Sequence, residues 1–211
     1  MELITGLIDF ILHIDKHLII IIKDYGTWTY LILFIIIFSE TGFVVTPFLP
    51  GDSLLFVIGA LGASQALNFK LALILVIIAA ILGNTVNYFI GRMLGHKLLA
   101  MKSSRFFKKK YLYKTQAFYK KHGGKAIILS RFLPIIRTFA PFVAGLGKMK
   151  FAKFCFFNII GGLAWVLLFM FAGFFFGNIP SVKDNFTYVI FGIIFVSVLP
   201  TVVPYIRSKL K

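Results

Sequence analysis

Glu40, Asp52, Arg131 and Arg137 are the residues whose types and placement most invite chemistry. Each sits in an apolar stretch interrupted by glycine or proline. Between Asp24 and Asp184 the only acidic residues are Glu40 and Asp52, against eighteen Lys and Arg. A charged side chain facing lipid costs roughly 2.5–3.5 kcal/mol at a helix centre on insertion scales, so these four need a reason to be where they are. Arginine suits phosphate or carboxylate in a poorly hydrated site, because its planar fork donates paired hydrogen bonds and stays charged. A carboxylate withdrawn from water beside an arginine changes its proton affinity when that partner moves or an anion competes for it. Together the four have the logic of a proton-coupled carrier of a phosphate-bearing substrate. Arg131 and Arg137 would bind the phosphate, while Glu40 and Asp52 would exchange protons and compete for the arginines. The same residues could instead form static salt bridges that pin two segments together. Ser39, Ser130, Asn84 and Asn87 are polar neighbours that could line the same cavity.

The elements that must position them follow from hydropathy. Three segments are long enough to cross a bilayer as helices of about 20 residues: residues 69–91, 154–177 and 186–206. Residues 1–38 are expected to form N-terminal helices. Their first part carries Asp9, Asp15 and Lys16, which leaves open whether it spans. Residues 39–62 and 126–147 are apolar but broken, the first by Pro47, Pro50 and Gly51 and the second by Pro134 and Pro141. Proline removes a backbone donor and clashes within a helix. Irregular backbone at membrane depth survives only where protein or water covers it. Both segments are therefore expected to be re-entrant hairpins, with kinked ordinary spans as the alternative.

The two halves resemble each other. Ser39-Glu40 answers Ser130-Arg131, FVIGALG (residues 56–62) answers FVAGLG (142–147), and each hairpin leads into a helix, one ending at Gly91-x-x-x-Gly95 and the other at Gly173-x-x-x-Gly177. Those glycines allow close helix packing. Residues 92–125 hold eleven basic and no acidic residues, as expected of a cytoplasmic loop. On that assignment the C-terminus is also cytoplasmic and the two repeats enter from opposite membrane faces, a recurring transporter design. The expected fold is an all-α polytopic membrane protein of two inverted repeats, each a re-entrant hairpin plus a transmembrane helix, with an additional C-terminal transmembrane helix.

Composition narrows the function classes. Hydrophobic residues make up 59% of the chain and charged ones 14%, where soluble domains have about 45–50% and about 25%. A net charge of +16 invites a nucleic-acid reading, but topology accounts for the basic loop and no nucleic-acid partner is expected. Cys155 is the lone cysteine, and His13, His17, His96 and His122 are scattered, so neither metal nor other cofactor is expected. Trp28, Trp165, Tyr25 and Tyr30 are assigned to membrane interfaces or packing. The stretch from Arg105 to Lys121 mixes bases with aromatics, as an interfacial helix on anionic lipid does.

The motifs SETGFVVTPFLPGDSLLFVIGALGA (Ser39–Ala63), GNTVNYFIGR (Gly83–Arg92) and HGGKAIILSRFLPIIRTFAPFVAGLGKM (His122–Met149) resemble the DedA family, also called the SNARE-associated or VTT-domain family of bacterial membrane proteins. The resemblance covers nearly the whole chain and is closest to inner-membrane members. It implies proton-motive-force-dependent translocation of a lipid, either undecaprenyl phosphate or a phospholipid. The family's essential acidic and arginine positions fall on Glu40, Asp52, Arg131 and Arg137. Many relatives look acidic where this chain has Asn84, so proton coupling here would rest on Glu40 and Asp52. The expected function is a flippase- or scramblase-like lipid translocase whose partners are membrane lipids, through a phosphate head group, and protons. The alternative is a non-transporting protein that organises the membrane for envelope integrity. An enzyme is not expected: a lipid phosphatase needs clustered acids for metal or a histidine nucleophile near arginine, and this spacing supplies neither.

Overall fold

The computed structural model describes residues 14–43, 51–100, 123–185, 188–193 and 195. The prolines at 47 and 50, the basic stretch 101–122 and most of the expected C-terminal span lie outside the described residues. Every regular element among the described residues is helical: α1 (Ile14–Tyr25), α2 (Trp28–Gly42), α3 (Gly51–Ala63), α4 (Phe69–Ala100), α5 (Lys125–Ser130), α6 (Pro134–Leu146), α7 (Phe151–Phe176) and α8 (Pro180–Asp184). Residues 188–193 are also helical.

Two stretches, Phe69–Leu94 and Phe151–Phe176, are long and apolar enough to cross a membrane, at 26 residues each. At 1.5 Å per residue each reaches about 39 Å, more than the roughly 30 Å hydrocarbon core. On α4 the exposed apolar residues Leu71, Ile74, Ile78, Leu82, Val86 and Phe89 recur every three or four positions. The opposite stripe buries Ala72, Val76, Ala79, Ala80, Asn84, Asn87 and Tyr88. Apolar side chains thus face outward and the asparagines inward, as lipid requires. Two boundaries differ from the expected ones. Helix α2 runs on through Ser39 and Glu40 to Gly42, because nothing before Gly42 breaks it. Helix α4 continues past Gly91 to Ala100, since MLGHKLLA contains no proline.

The chain forms two compact units, one of Met1–Ile37, Phe48–Ile78 and Trp165–Lys211, the other of Phe38–Pro47 and Ala79–Ala164. In the first unit α3 packs on the C-terminal half of α7. A Cβ added at Gly59 would overlap the Met170 carbonyl oxygen, and one at Gly173 would overlap that of Phe56. In the second unit α6 packs on the C-terminal part of α4 in the same way: a Cβ at Gly145 would overlap the Tyr88 carbonyl oxygen, and one at Gly91 that of Phe142. Each pairing places a glycine of one helix against a carbonyl of the other, twice over. Backbones can approach this closely because one residue at each contact is a glycine with no side chain. Gly177 closes on Ala60 likewise, so the glycine pairs act as packing sites. The helix following each broken segment therefore receives the other broken segment.

The helices α3 and α6 also end alike. Ala66 N donates to Leu61 O at 3.0 Å past Gln65, whose φ is 60°, and Met149 N donates to Ala144 O at 3.0 Å past Lys148, whose φ is 57°. Both are left-handed caps of the Schellman type, here built on residues other than glycine. In the second unit Tyr88 stacks on Phe154 with ring centroids 4.4 Å apart, and its hydroxyl donates to the Met149 carbonyl. Those contacts tie the end of α6 to α4 and to the start of α7.

Candidate functional site: a buried ion pair and a buried arginine

Arg131 occupies the break between α5 and α6. Pro134 disfavours helical backbone at the preceding residue, and Leu133 is accordingly extended, with φ −119° and ψ 102°. Tight turn bonds fill the gap: Arg131 N to Ile128 O at 3.2 Å, Phe132 N to Leu129 O at 3.2 Å and Leu133 N to Ser130 O at 3.1 Å. Arg137 lies one turn into α6, and its own backbone N donates to Leu133 O at 2.8 Å.

Glu40 reaches this unit from the last turns of α2. There Thr41 and Gly42 lie on α4 at Gly83, where a Cβ would overlap the Thr41 hydroxyl oxygen. That close approach sets Glu40 beside Arg137: Nη1 of Arg137 is 3.5 Å from Oε1 of Glu40, and each side chain is 3% exposed. Ionised groups so far from water are costly unless compensated. The ion pair supplies that compensation.

The asparagines of α4 hold the backbones that carry the pair. Asn87, fully buried, donates from one amide nitrogen to Thr41 O at 3.2 Å and to Thr138 O at 2.8 Å. Those carbonyls belong to the residues immediately after Glu40 and Arg137. Pro141 has no N–H to donate to the Arg137 carbonyl one turn earlier. One turn earlier stands Asn84. In the amide orientation that pairs donors with acceptors, its oxygen accepts from Arg131 Nη2 at 2.9 Å and Nε at 3.3 Å, and its nitrogen donates to Thr41 O at 3.2 Å.

Arg131 is fully buried. Besides Asn84 it donates from Nη2 to Ala80 O at 3.1 Å and to Asn158 Oδ1 at 2.6 Å. Asn158, itself buried, was not among the residues singled out from the sequence. Its only local signal is an amide inside an otherwise apolar stretch, FCFFNIIGG.

The second unit thus brings together Glu40, Arg131, Arg137, Asn84 and Asn87. Ser130 is there too, but its hydroxyl bonds back to Ile127 O at 2.8 Å within its own helix. Ser39 is half-buried on α2. Asp52 belongs to the first unit, in the first turn of α3, where Trp165 Nε1 donates to its Oδ1 at 2.8 Å. Both residues are buried, Asp52 at 6% exposure and Trp165 at 0%. Trp165 is therefore a polar partner inside the protein, whereas Trp28, 67% exposed, fits the interfacial expectation. Among the described residues no group of three or more His, Cys, Asp or Glu is placed to hold a metal ion.

Comparison with known proteins decides the family. The VTT domain matches residues 49–175. This chain belongs to the DedA family of VTT-domain proteins. Protein DedA of Escherichia coli K12 is 58% identical over 211 residues, covering 99% of this chain and 96% of the relative. The uncharacterized membrane protein Rv0364 of Mycobacterium tuberculosis is 45% identical over 177 residues, 83% of this chain and 78% of the relative. The inner membrane protein YqjA of Escherichia coli K12 is 37% identical over 151 residues, 72% of this chain and 69% of the relative. No solved structure matches. Within the DedA family match lie Asp52, Asn84, Asn87, Arg131, Arg137 and Asn158, while Glu40 precedes the matched stretch.

Proposed function

We propose that this DedA-family protein is a membrane lipid translocase, flippase- or scramblase-like, that moves a phosphate-bearing lipid across the bacterial inner membrane and draws on the proton-motive force. The substrate is undecaprenyl phosphate or a phospholipid, with the head group passing through the protein while the tails stay in the bilayer. The observation that carries the reading is the burial of Glu40, Arg131 and Arg137 in one unit, each at most 3% exposed. Arginine forks in a water-poor setting suit a phosphate. A carboxylate already paired to one of them at 3.5 Å is a competitor that the phosphate must displace and that can then take up a proton. Asp52 is the second proton-exchanging group.

The membrane arrangement goes with this function. The naming of YqjA as an inner membrane protein supports that location. At 13 residues each, α3 and α6 reach about 20 Å, too short to span, which supports re-entrant hairpins. The matching glycine contacts and matching caps of the two units support an internal repeat, which the basic loop orients as inverted, with that loop and the C-terminus in the cytoplasm. An additional C-terminal span over residues 186–206 belongs to the proposed arrangement.

Translocation of labelled lipids by the purified protein in proteoliposomes, with and without a pH gradient, tests the proposal. Phosphate-bearing lipids are expected to cross faster than in protein-free vesicles, with the gradient accelerating them and Glu40→Gln abolishing the acceleration. Folded protein that moves none of these lipids would favour a non-transporting, membrane-organising role. In that case the Glu40–Arg137 pair would serve as a pin.

A further inference from the structure

We infer that Asn158 is a positioning residue for Arg131, fixing the orientation in which its guanidinium meets a phosphate group. This rests on the phosphate-binding role proposed for Arg131.

Arg131 is the C-cap residue of α5, and holding its long side chain in one orientation costs about 2 kcal/mol of rotamer entropy. Its aim comes from α4 and α7. Asn158 Oδ1 accepts from Nη2 at 2.6 Å, Asn84 Oδ1 at 2.9 Å and Ala80 O at 3.1 Å. All three are amide or main-chain carbonyl oxygens. They hold the guanidinium by its N–H groups as neutral acceptors.

Asn158 is itself locked. Its amide nitrogen donates to Ile81 O at 3.1 Å and to Thr85 Oγ1 at 3.3 Å, while that hydroxyl donates to Ile81 O at 2.7 Å. Two acceptors on its nitrogen side leave one orientation in which the oxygen faces Arg131. One turn along α7 come Gly161 and Gly162, and they supply the clearance. A Cβ at Gly162 would lie 3.2 Å from Ile81 Cγ1 and 3.4 Å from Arg131 Nη2, and one at Gly161 would lie 3.1 Å from Ile128 Cα. The Asn-x-x-Gly-Gly run is thus a seat: the asparagine accepts, and the glycines let α7 come close enough for it to reach.

A purely structural asparagine and a positioning one are separated by a double-mutant cycle on melting temperature, joined to a kinetic split. Asn158→Ala, Arg131→Met and the double variant are purified and melted. Asn158→Ala is expected to lower the melting temperature in the parent and by less than half as much in the Arg131→Met background; equal decrements overturn the pairing. In proteoliposomes Asn158→Ala is expected to raise the half-saturating concentration of labelled phosphate-bearing lipid about tenfold, with the maximal rate per folded protein within about threefold of the parent, as loss of one charge-assisted hydrogen bond implies. A folded Asn158→Ala protein with parental half-saturation overturns the role. Should Asn158→Ala fail to fold, Asn158→Ser, which keeps a shorter hydroxyl acceptor, replaces it in both measurements. A parent protein that moves no lipid overturns the proposed function instead, and the melting cycle still decides whether Asn158 holds Arg131.

Discussion

Arg137 and Glu40 form an ion pair at 3.5 Å with both side chains 3% exposed, and a single asparagine amide, that of Asn87, bonds the carbonyls of the residues following each of them. The pair is held by its backbones as well as by its charges. The Asn87 link does not depend on the two charges and would persist if the side chains parted.

Removing one charge should hurt folding more than removing both. Glu40→Gln leaves Arg137 buried without that carboxylate and is expected to cost about 3–5 kcal/mol, whereas Glu40→Gln with Arg137→Gln should cost clearly less. Chemical or thermal unfolding of the three proteins checks this. A double variant less stable than either single one would show that the pair is not the main interaction of either group.

Arg137→Lys keeps the charge and discards the planar fork. It is expected to fold, yet to translocate phosphate-bearing lipid at least about tenfold more slowly, a change of about 1.4 kcal/mol in barrier. Parental translocation by this variant would remove Arg137 from phosphate binding.

Trp165→Phe deletes the N–H that Asp52 accepts at 2.8 Å while keeping most of the ring volume. Leaving that buried acceptor oxygen without this partner should destabilise by about 1–3 kcal/mol. Trp28→Phe, at an exposed position, should stay within about 0.5 kcal/mol of the parent. Melting curves of the two variants side by side measure the contrast.

Gly145→Ala and Gly173→Ala each drive a methyl group into a backbone carbonyl of the facing helix. Carbonyls cannot rotate aside as side chains can, so overpacking of 1–3 kcal/mol or more is expected, about the order seen when cores are overfilled. Gly192→Ala, where nothing among the described residues lies within 4 Å, is the matched control and should be neutral or gain up to about 1 kcal/mol of helix propensity. Equal effects at all three positions would mean that the helix contacts carry no weight.

Much of the architecture was legible in the chain. The helices at 69–94 and 151–176, long and apolar enough to cross a membrane, follow from uninterrupted apolar runs. The break at Arg131 follows from Pro134, whose effect on its predecessor is local. The glycine pairs of α4 and α7 were read as packing sites, and Gly91, Gly173 and Gly177 are found in close helix contacts. Less legible was the end of α2: apolar sequence continues into a helix or a hairpin equally well, and Glu40 lies within the helix that was expected to stop before it.

Sequence by itself determined the class of protein, its family and which charged residues stand in apolar surroundings, because hydropathy, helix breakers and motif spacing act over one or two turns of chain. It left open what each charge meets. That Glu40 faces Arg137, that Asp52 takes its hydrogen bond from Trp165 and that Arg131 is seated on Asn158 depend on which helices cross and at what rotation. Tertiary packing decided those partners, through glycine-to-carbonyl contacts that set helix faces to a fraction of a turn. An isolated amide such as Asn158 then acquires a role that no neighbour in sequence announces.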